Sequence, residues 1–241
     1  MVLLEVALSG GRDHPAMPKT PLRLAEAAVS SVAAGARAIH LHAYDSHGRE
    51  TLAPEVCDAA VRAVHAACPG VPVSLTTSAG IEPDPRRRLA AITAWSVLPE
   101  LVTANQGEAG IVELCDHLLA RGVGLEAGLL SVSDARAFVD SGLADRCVRV
   151  LVEPLDAAPG VATIHASAIE VVLERAGVTL EQVHHGDGVA SWVVNQRALW
   201  RGHGIRTGLE DTGVLPDGRE ARDNAELVEA GARMIAALPP R

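Results

Sequence analysis

Ile39-His40-Leu41-His42 sets two imidazoles two residues apart in an otherwise apolar run. In a β-strand residues i and i+2 share a face, so His40 and His42 point one way and Ile39 and Leu41 the other. Two imidazoles on a common face suit a transition metal, with zinc the first expectation. A pair of hydrogen-bonded core histidines is the alternative reading. Near the other end of the chain, Arg206-Thr207-Gly208-Leu209-Glu210-Asp211 brings an arginine and two carboxylates close together. Arg206 lies four residues before Glu210, on the same strand face and further down. An arginine beneath a carboxylate orients it and keeps it ionised. Asp211 is then a candidate general base beside a metal, with Arg206 its partner. A barrel-stabilising ion pair is the plainer alternative.

These residues act together only if the intervening chain brings them together. Short apolar runs alternate with helical patterns. The strand candidates are Leu3–Leu8, Ala38–Ala43, Val71–Thr76, Leu101–Asn105, Gly124–Gly128, Arg149–Glu153, Gln182–His185 and Ile205–Leu209. Thr20-Pro21 and Asp84-Pro85 are helix starts, each a capping side chain before a proline at the first helical position. Further helices are expected over Glu55–Ala67, Ile111–Arg121, Ser133–Val139, Ile164–Ala176, Ser191–Arg201 and Asp223–Leu238, with Gly35, Gly122, Gly177 and Gly204 as stops. Eight strand–helix units in 241 residues predict an α/β fold, a single (β/α)8 TIM barrel over 1–241. An open doubly wound sheet is disfavoured, because Ser9-Gly10-Gly11-Arg12 does not continue as G-x-G-x-x-G.

Closing the barrel makes strands 2 and 8 the two neighbours of strand 1. Glu210 then faces the His40/His42 pair and completes a His₂Glu set with an open position, a catalytic zinc arrangement. Active sites of such barrels lie at the C-terminal strand ends. The polar residues expected there include Ser9 and Arg12, Thr76, Thr103 and Asn105, Glu126, Glu153, and His184, His185 and Asp187. One of the two adjacent histidines must face the lumen. Glu126, a carboxylate within an apolar strand, needs a partner if buried. Arg86-Arg87-Arg88 reads as a solvated helix face or as an attractor for a cofactor phosphate.

Composition narrows the classes. Hydrophobic residues make up 48% and charged residues 21%, enough apolar material for a packed core. Aromatics are only 2% and the net charge is -9, which argues against a nucleic-acid binder. No uncharged apolar run is long enough to span a membrane, and no targeting signal is legible at Met1–Leu8. Cys57, Cys68, Cys115 and Cys147 are widely spaced, so reduced thiols in a cytoplasmic protein are expected.

The chain resembles the β-keto acid cleavage enzyme family over nearly its whole length. The motifs are Pro15-Ala16-Met17-Pro18-Lys19-Thr20-Pro21, the run Gly35 to His42 with Asp45 and Gly48-Arg49, Thr76-Thr77, Thr103-Ala104-Asn105, and Arg206 to Asp211. The resemblance implies a (β/α)8 barrel assembled as a homo-oligomer, a dimer or tetramer. It implies condensation of a β-keto acid with acetyl-CoA as co-substrate, giving acetoacetate and a new CoA thioester. It places zinc on His40, His42 and Glu210, the catalytic Arg–Asp pair on Arg206 and Asp211, and substrate contacts on Thr76, Thr103, Asn105 and Glu126. Arg12 stands where the family's best-known member has a carboxylate that meets a substrate amine. An arginine there repels an amine and favours a neutral or acidic substrate tail. Tyr44 and Thr77-Ser78-Ala79-Gly80 also depart from the family pattern.

Two other functions are compatible with the fold. Barrel metallohydrolases also use His-x-His, but usually on strand 1, with further histidines on strands 5 and 6. Here those strands offer Glu126 and Glu153. A barrel without catalytic activity is the other.

Overall fold

A computed structural model describes residues 2–239. The strands are β1 (Leu4–Ala7), β2 (Ala38–Leu41), β3 (Val73–Thr76), β4 (Leu101–Asn105), β5 (Gly124–Leu129), β6 (Arg149–Val152), β7 (Glu181–His184) and β8 (Gly204–Thr207). The helices are α1 (Pro21–Ala34), α2 (Pro54–Ala67), α3 (Pro85–Thr93), α4 (Ile111–Ala120), α5 (Val132–Ser141), α6 (Pro159–Arg175), α7 (Ser191–Arg201) and α8 (Asn224–Ala236). All strand pairings are parallel, and β8 pairs with β1 to close the barrel in sequence order, the (β/α)8 architecture. No helix among the described residues is long and apolar enough to cross a membrane.

Local chemistry explains the helix starts. The Thr20 side chain accepts from the Arg23 N–H, and Asp84 accepts from Arg86 and Arg87, each with proline at the next position. Ser131 and Asp223 cap α5 and α8 in the same way. The sequence reading places the start of α6 at Ile164, five residues late. Pro159 opens the helix, but Ala158 before it has no capping side chain to signal the start. Gly204 is not a helix stop. Gly202, at φ +91°, ends α7 with its N–H on the Ala198 and Leu199 carbonyls, and Gly204 opens β8.

Strand alternation divides the packing. Val6, Ile39, Leu41, Val73, Leu75, Val102, Leu125 and Ile205 join Leu24, Val61, Ile92, Leu118, Phe138 and Leu173 of the helices in one buried cluster. Truncating Phe138 to alanine there would cost about 3–5 kcal/mol. The opposite face is polar. Glu5, His40, Ser74, Thr103, Glu126 and Arg149 are all buried on neighbouring strands. The register sets Glu5 beside Arg206, His40 beside Ser74, and Thr103 beside Glu126, which in turn sits beside Arg149. Charge and hydrogen bonding fill the barrel floor where branched aliphatic layers are usual.

Candidate active site

His40 ends on the lumen side of β2 and His42 follows it on the same side. Ser9, past the end of β1, locks the second position. Its Oγ accepts from the His42 N–H at 3.0 Å and donates to the His42 carbonyl at 3.0 Å. Glu210 comes from the turn after β8. That turn runs hard against β1: a Cβ on Gly208 would lie 2.0 Å from the Ala7 carbonyl oxygen. Gly10 leaves room for the Glu210 side chain, since a Cβ there would lie 2.4 Å from Glu210 Cγ. Only glycine permits either approach.

The three side chains converge. His40 Nε2 is 3.4 Å from Glu210 Oε2, and His42 Nε2 is 3.5 Å from Glu210 Oε1. One ligand atom from each lies within 4.8 Å of the others. The outer nitrogen of each ring is already engaged. His40 Nδ1 lies 3.2 Å from Thr103 Oγ1 and 3.4 Å from Ser74 Oγ, while His42 Nδ1 lies 2.5 Å from Glu50 Oε1. Both Nε2 atoms are thereby presented inward, and Glu210 Oε2 is buried without a hydrogen-bond partner. Oriented imidazoles, an orphaned carboxylate oxygen and an N₂O donor set fit a divalent transition metal. Glu5, His40 and Glu126 form a second, deeper group. There Arg149 already supplies the positive charge, 4.0 Å from Glu5 and 3.5 Å from Glu126.

The electrostatics follow from these neighbours. Burial, aided by Arg206 and His42, lowers the His40 pKa to about 3 and keeps the ring neutral. His42 is buried too, but Glu210 and Glu50 outweigh that penalty and raise it to about 9. Burial opposes ionisation of Glu210. Arg206, His40 and His42 overcome it and hold the carboxylate well below its usual range.

Arg206 is buried, and its Nη2 donates to Asp211 Oδ1 at 2.7 Å and to Glu210 Oε1 at 3.2 Å. Burial would raise Asp211; Arg206 and His185 reverse this and keep it ionised. His185 lies just past β7, with Nδ1 3.3 Å from Asp211 Oδ1 and Nε2 3.4 Å from Glu153 Oε2. His184 turns outward and stacks on His203, ring centroids 4.8 Å apart. So one of the adjacent histidines does face the lumen, and it sits against Asp211, apart from the His40/His42/Glu210 group.

The remaining expected contacts divide. Thr103 touches His40. Glu126 is fully buried beneath it, accepting from Ser74 Oγ and paired with Arg149. Thr76 accepts from the Ser78 N–H in the turn after β3, and Asn105 donates to Glu108. Arg12 bonds the Asp187 carboxylate and donates to the backbone carbonyls of Glu210 at 3.3 Å and Asp211 at 3.1 Å. It clamps the ligand-bearing turn to two loops. A cavity of about 290 Å³ at the mouth is lined by Arg12, Lys19, Tyr44, Arg49 and Glu50. Arg88 is not a solvated cation: it is buried, pairing with Glu108 at 3.3 Å and donating to the Ala109 carbonyl.

Glu5, Glu50 and Arg149 were not anticipated as part of this network. Glu5 carries the same signal as Glu126, an acid between apolar strand neighbours. Glu50 carries none, because a turn returns it to His42 through the Tyr44–Glu50 bridge.

Comparison with known proteins places the chain among relatives. The chain is 26% identical to the 3-keto-5-aminohexanoate cleavage enzyme of Fusobacterium nucleatum subsp. nucleatum, over 98% of this chain and 92% of that one. Among solved structures, the binary complex of ObcA with oxaloacetate superposes with a TM-score of 0.73 at 21% identity, covering 91% of this chain and 63% of that one. The ternary complex of ObcA with a C4-CoA adduct and oxalate gives 0.73 at 20%, covering 92% and 64%. This chain therefore spans less than two thirds of ObcA, and at such identity the likeness is one of fold. The 3-dehydroquinate dehydratase of Aquifex aeolicus, at 12% identity and a TM-score of 0.59, covers 96% of both chains and shares the same architecture. The sequence profile of the beta-keto acid cleavage enzyme matches residues 1–240, and the chain belongs to that family.

Proposed function

We propose that this enzyme condenses a β-keto acid with acetyl-CoA, giving acetoacetate and a new CoA thioester. The observation that carries the reading is the Asp211 carboxylate, whose Oδ2 is unpartnered beside the His40/His42/Glu210 cluster. Zinc held by His40, His42 and Glu210 would supply Lewis-acid polarisation of a substrate oxygen.

The chain's own groups account for the proton. Arg206 holds Asp211 Oδ1 and keeps the carboxylate ionised, so Oδ2 takes the proton from the carbon between the keto and carboxylate groups. That carbon then takes the acetyl group from the thioester sulfur. Its bond to the original acyl carbon breaks, that acyl group passes to the sulfur, and the carbon takes back the proton from Asp211, which gives acetoacetate and restores the carboxylate. Lys19 and Arg49 line the mouth and supply cationic groups there for an anionic substrate, with Arg12 beside them paired to Asp187. Arg12 in place of a carboxylate favours a β-keto acid with a neutral or acidic tail.

A homo-oligomer is part of the proposal. Trp200 is 74% exposed beside a groove of about 620 Å³ lined by Leu215, Met234 and Leu238 with Asp217, Arg219 and Arg233 among them, a mixed surface that a second copy would cover.

The test is twofold. Purified protein is analysed for metal beside His42→Ala and Glu210→Gln, and acetyl-CoA is offered with a panel of β-keto acids, scored by acetoacetate. Near-stoichiometric zinc lost in both variants, with acetoacetate formed from at least one acid, supports the reading. Metal-free protein after zinc is supplied, or no acetoacetate from any acid, overturns it.

A further inference from the structure

Asp211 Oδ1 has two neighbours and Oδ2 has none. Arg206 Nη2 donates to Oδ1 at 2.7 Å, and His185 Nδ1 lies 3.3 Å from the same oxygen. His185 is itself held from behind, its Nε2 3.4 Å from Glu153 Oε2, and the ring is 1% exposed. Three loops meet in this line: Glu153 follows β6, His185 follows β7 and Asp211 follows β8. Arg206 alone fixes one hydrogen bond, about which a carboxylate still rotates. A second, longer contact on the same oxygen, from another strand, restricts that rotation sterically and electrostatically.

We propose that His185 is a positioning residue for Asp211: with Glu153 behind it, the ring pins Oδ1 and leaves Oδ2 aimed at the reacting carbon. The proposal rests on the acyl-exchange reading above.

The Glu153 environment supports one ring orientation. Burial raises the Glu153 pKa, and His185 and Arg206 oppose that rise, so the carboxyl and the ring are electrostatically linked. Nε2 faces Glu153 Oε2 and Nδ1 faces Asp211 Oδ1, so the ring stands between the two carboxyl groups at contact distance without hydrogen-bond geometry to either. The ring is enclosed, so His185 acts through Asp211 and not on substrate. It also lies outside both groups of residues that can share a metal.

The experiment compares steady-state kinetics and metal content of the wild type with His185→Ala, His185→Asn and His185→Gln. Asparagine can place its amide nitrogen near the Nδ1 position; the longer glutamine reaches instead toward the Nε2 position. We expect His185→Ala to lower kcat about ten- to a hundred-fold, as loss of orienting partners typically does. KM for the β-keto acid and bound metal should stay near wild-type values. His185→Asn should recover most of the rate and His185→Gln little of it. Wild-type kcat in His185→Ala, equal rescue by both amides, or a KM effect alone would overturn the proposal. Should His185→Ala fold poorly, the Asn and Gln comparison still decides. A wild type that turns over no β-keto acid is a separate outcome: it removes the reaction reading, and the positioning role with it.

Discussion

Glu50 Oε1 lies 2.5 Å from His42 Nδ1, so the second histidine of the His-x-His pair is oriented by a carboxylate eight residues further along the chain. The return is made by the turn from Asp45 to Arg49, closed by Asp45 hydrogen bonds and by Gly48 at φ +72°. A carboxylate on Nδ1 fixes the tautomer and raises the basicity of Nε2. Glu50→Gln should weaken zinc binding about ten- to a hundred-fold while leaving stoichiometry at saturation intact. Competition with a chromogenic chelator measures both.

Gly10 gives a way to remove Glu210 without mutating it. A Cβ at position 10 would overlap Glu210 Cγ at 2.4 Å, so Gly10→Ala should push the carboxylate out of the cluster. The cost to stability is about 1–3 kcal/mol, as for other overpacked sites. The expected protein is folded by circular dichroism and retains little zinc after dialysis. Full zinc content would show that the turn after β8 yields more than the contact implies.

Asp211→Asn removes the proposed base and keeps the volume. It should lower kcat about a hundred- to ten-thousand-fold, the usual contribution of a general base. Metal content should be unchanged. A kcat within threefold of wild type would exclude Asp211 from proton transfer.

Arg12 is committed to Asp187 and to two backbone carbonyls. Asp187→Asn releases part of its charge to the mouth. KM for β-keto acids with a second carboxylate should fall about two- to five-fold relative to neutral-tailed ones, the scale of a partly exposed ion pair. Equal KM values for both classes would show that Arg12 does not reach substrate.

His184 should make the protein acid-sensitive. Burial, then His203, lowers its pKa to about 3 in the folded protein, against about 6.5 when unfolded. The unfolded chain therefore takes up the proton first. The stability is complete above pH 6.5 and is lost as pH falls from there toward 3, by about 1.4 kcal/mol per unit at most. Urea unfolding of His184→Gln should show a slope against pH shallower by about one proton between pH 6 and 4.

Much of the site was legible because strand alternation is a strict rule. It put His40 and His42 on one face, and parallel closure put Glu210 opposite them. Arg206 and Asp211 followed from being neighbours of Glu210. The same rule would have placed Glu5 and Arg149 in the lumen, had their strands been read for buried charge. Alternation does not choose between His184 and His185, because the strand ends between them and the loop sets the second direction. Glu50 and the Arg12 clamp depend on loop paths, which no periodicity encodes. Arg88 misled for a related reason: three consecutive arginines look alike in sequence, but α3 turns one of them inward to Glu108.

The charged floor beneath His40 has a mutational consequence. Arg149 is one cation for two buried acids, 4.0 Å from Glu5 and 3.5 Å from Glu126, and burial together with Glu126 raises the Glu5 pKa well above the usual range. Losing one member strands the others and costs about 3–5 kcal/mol, whereas exchanging the whole set for apolar side chains of similar volume can be neutral. Single substitutions that delete Arg149 or Glu126 are therefore the costly ones. Positions 5, 126 and 149 are thus coupled, and a change at one alters the electrostatic cost of the other two.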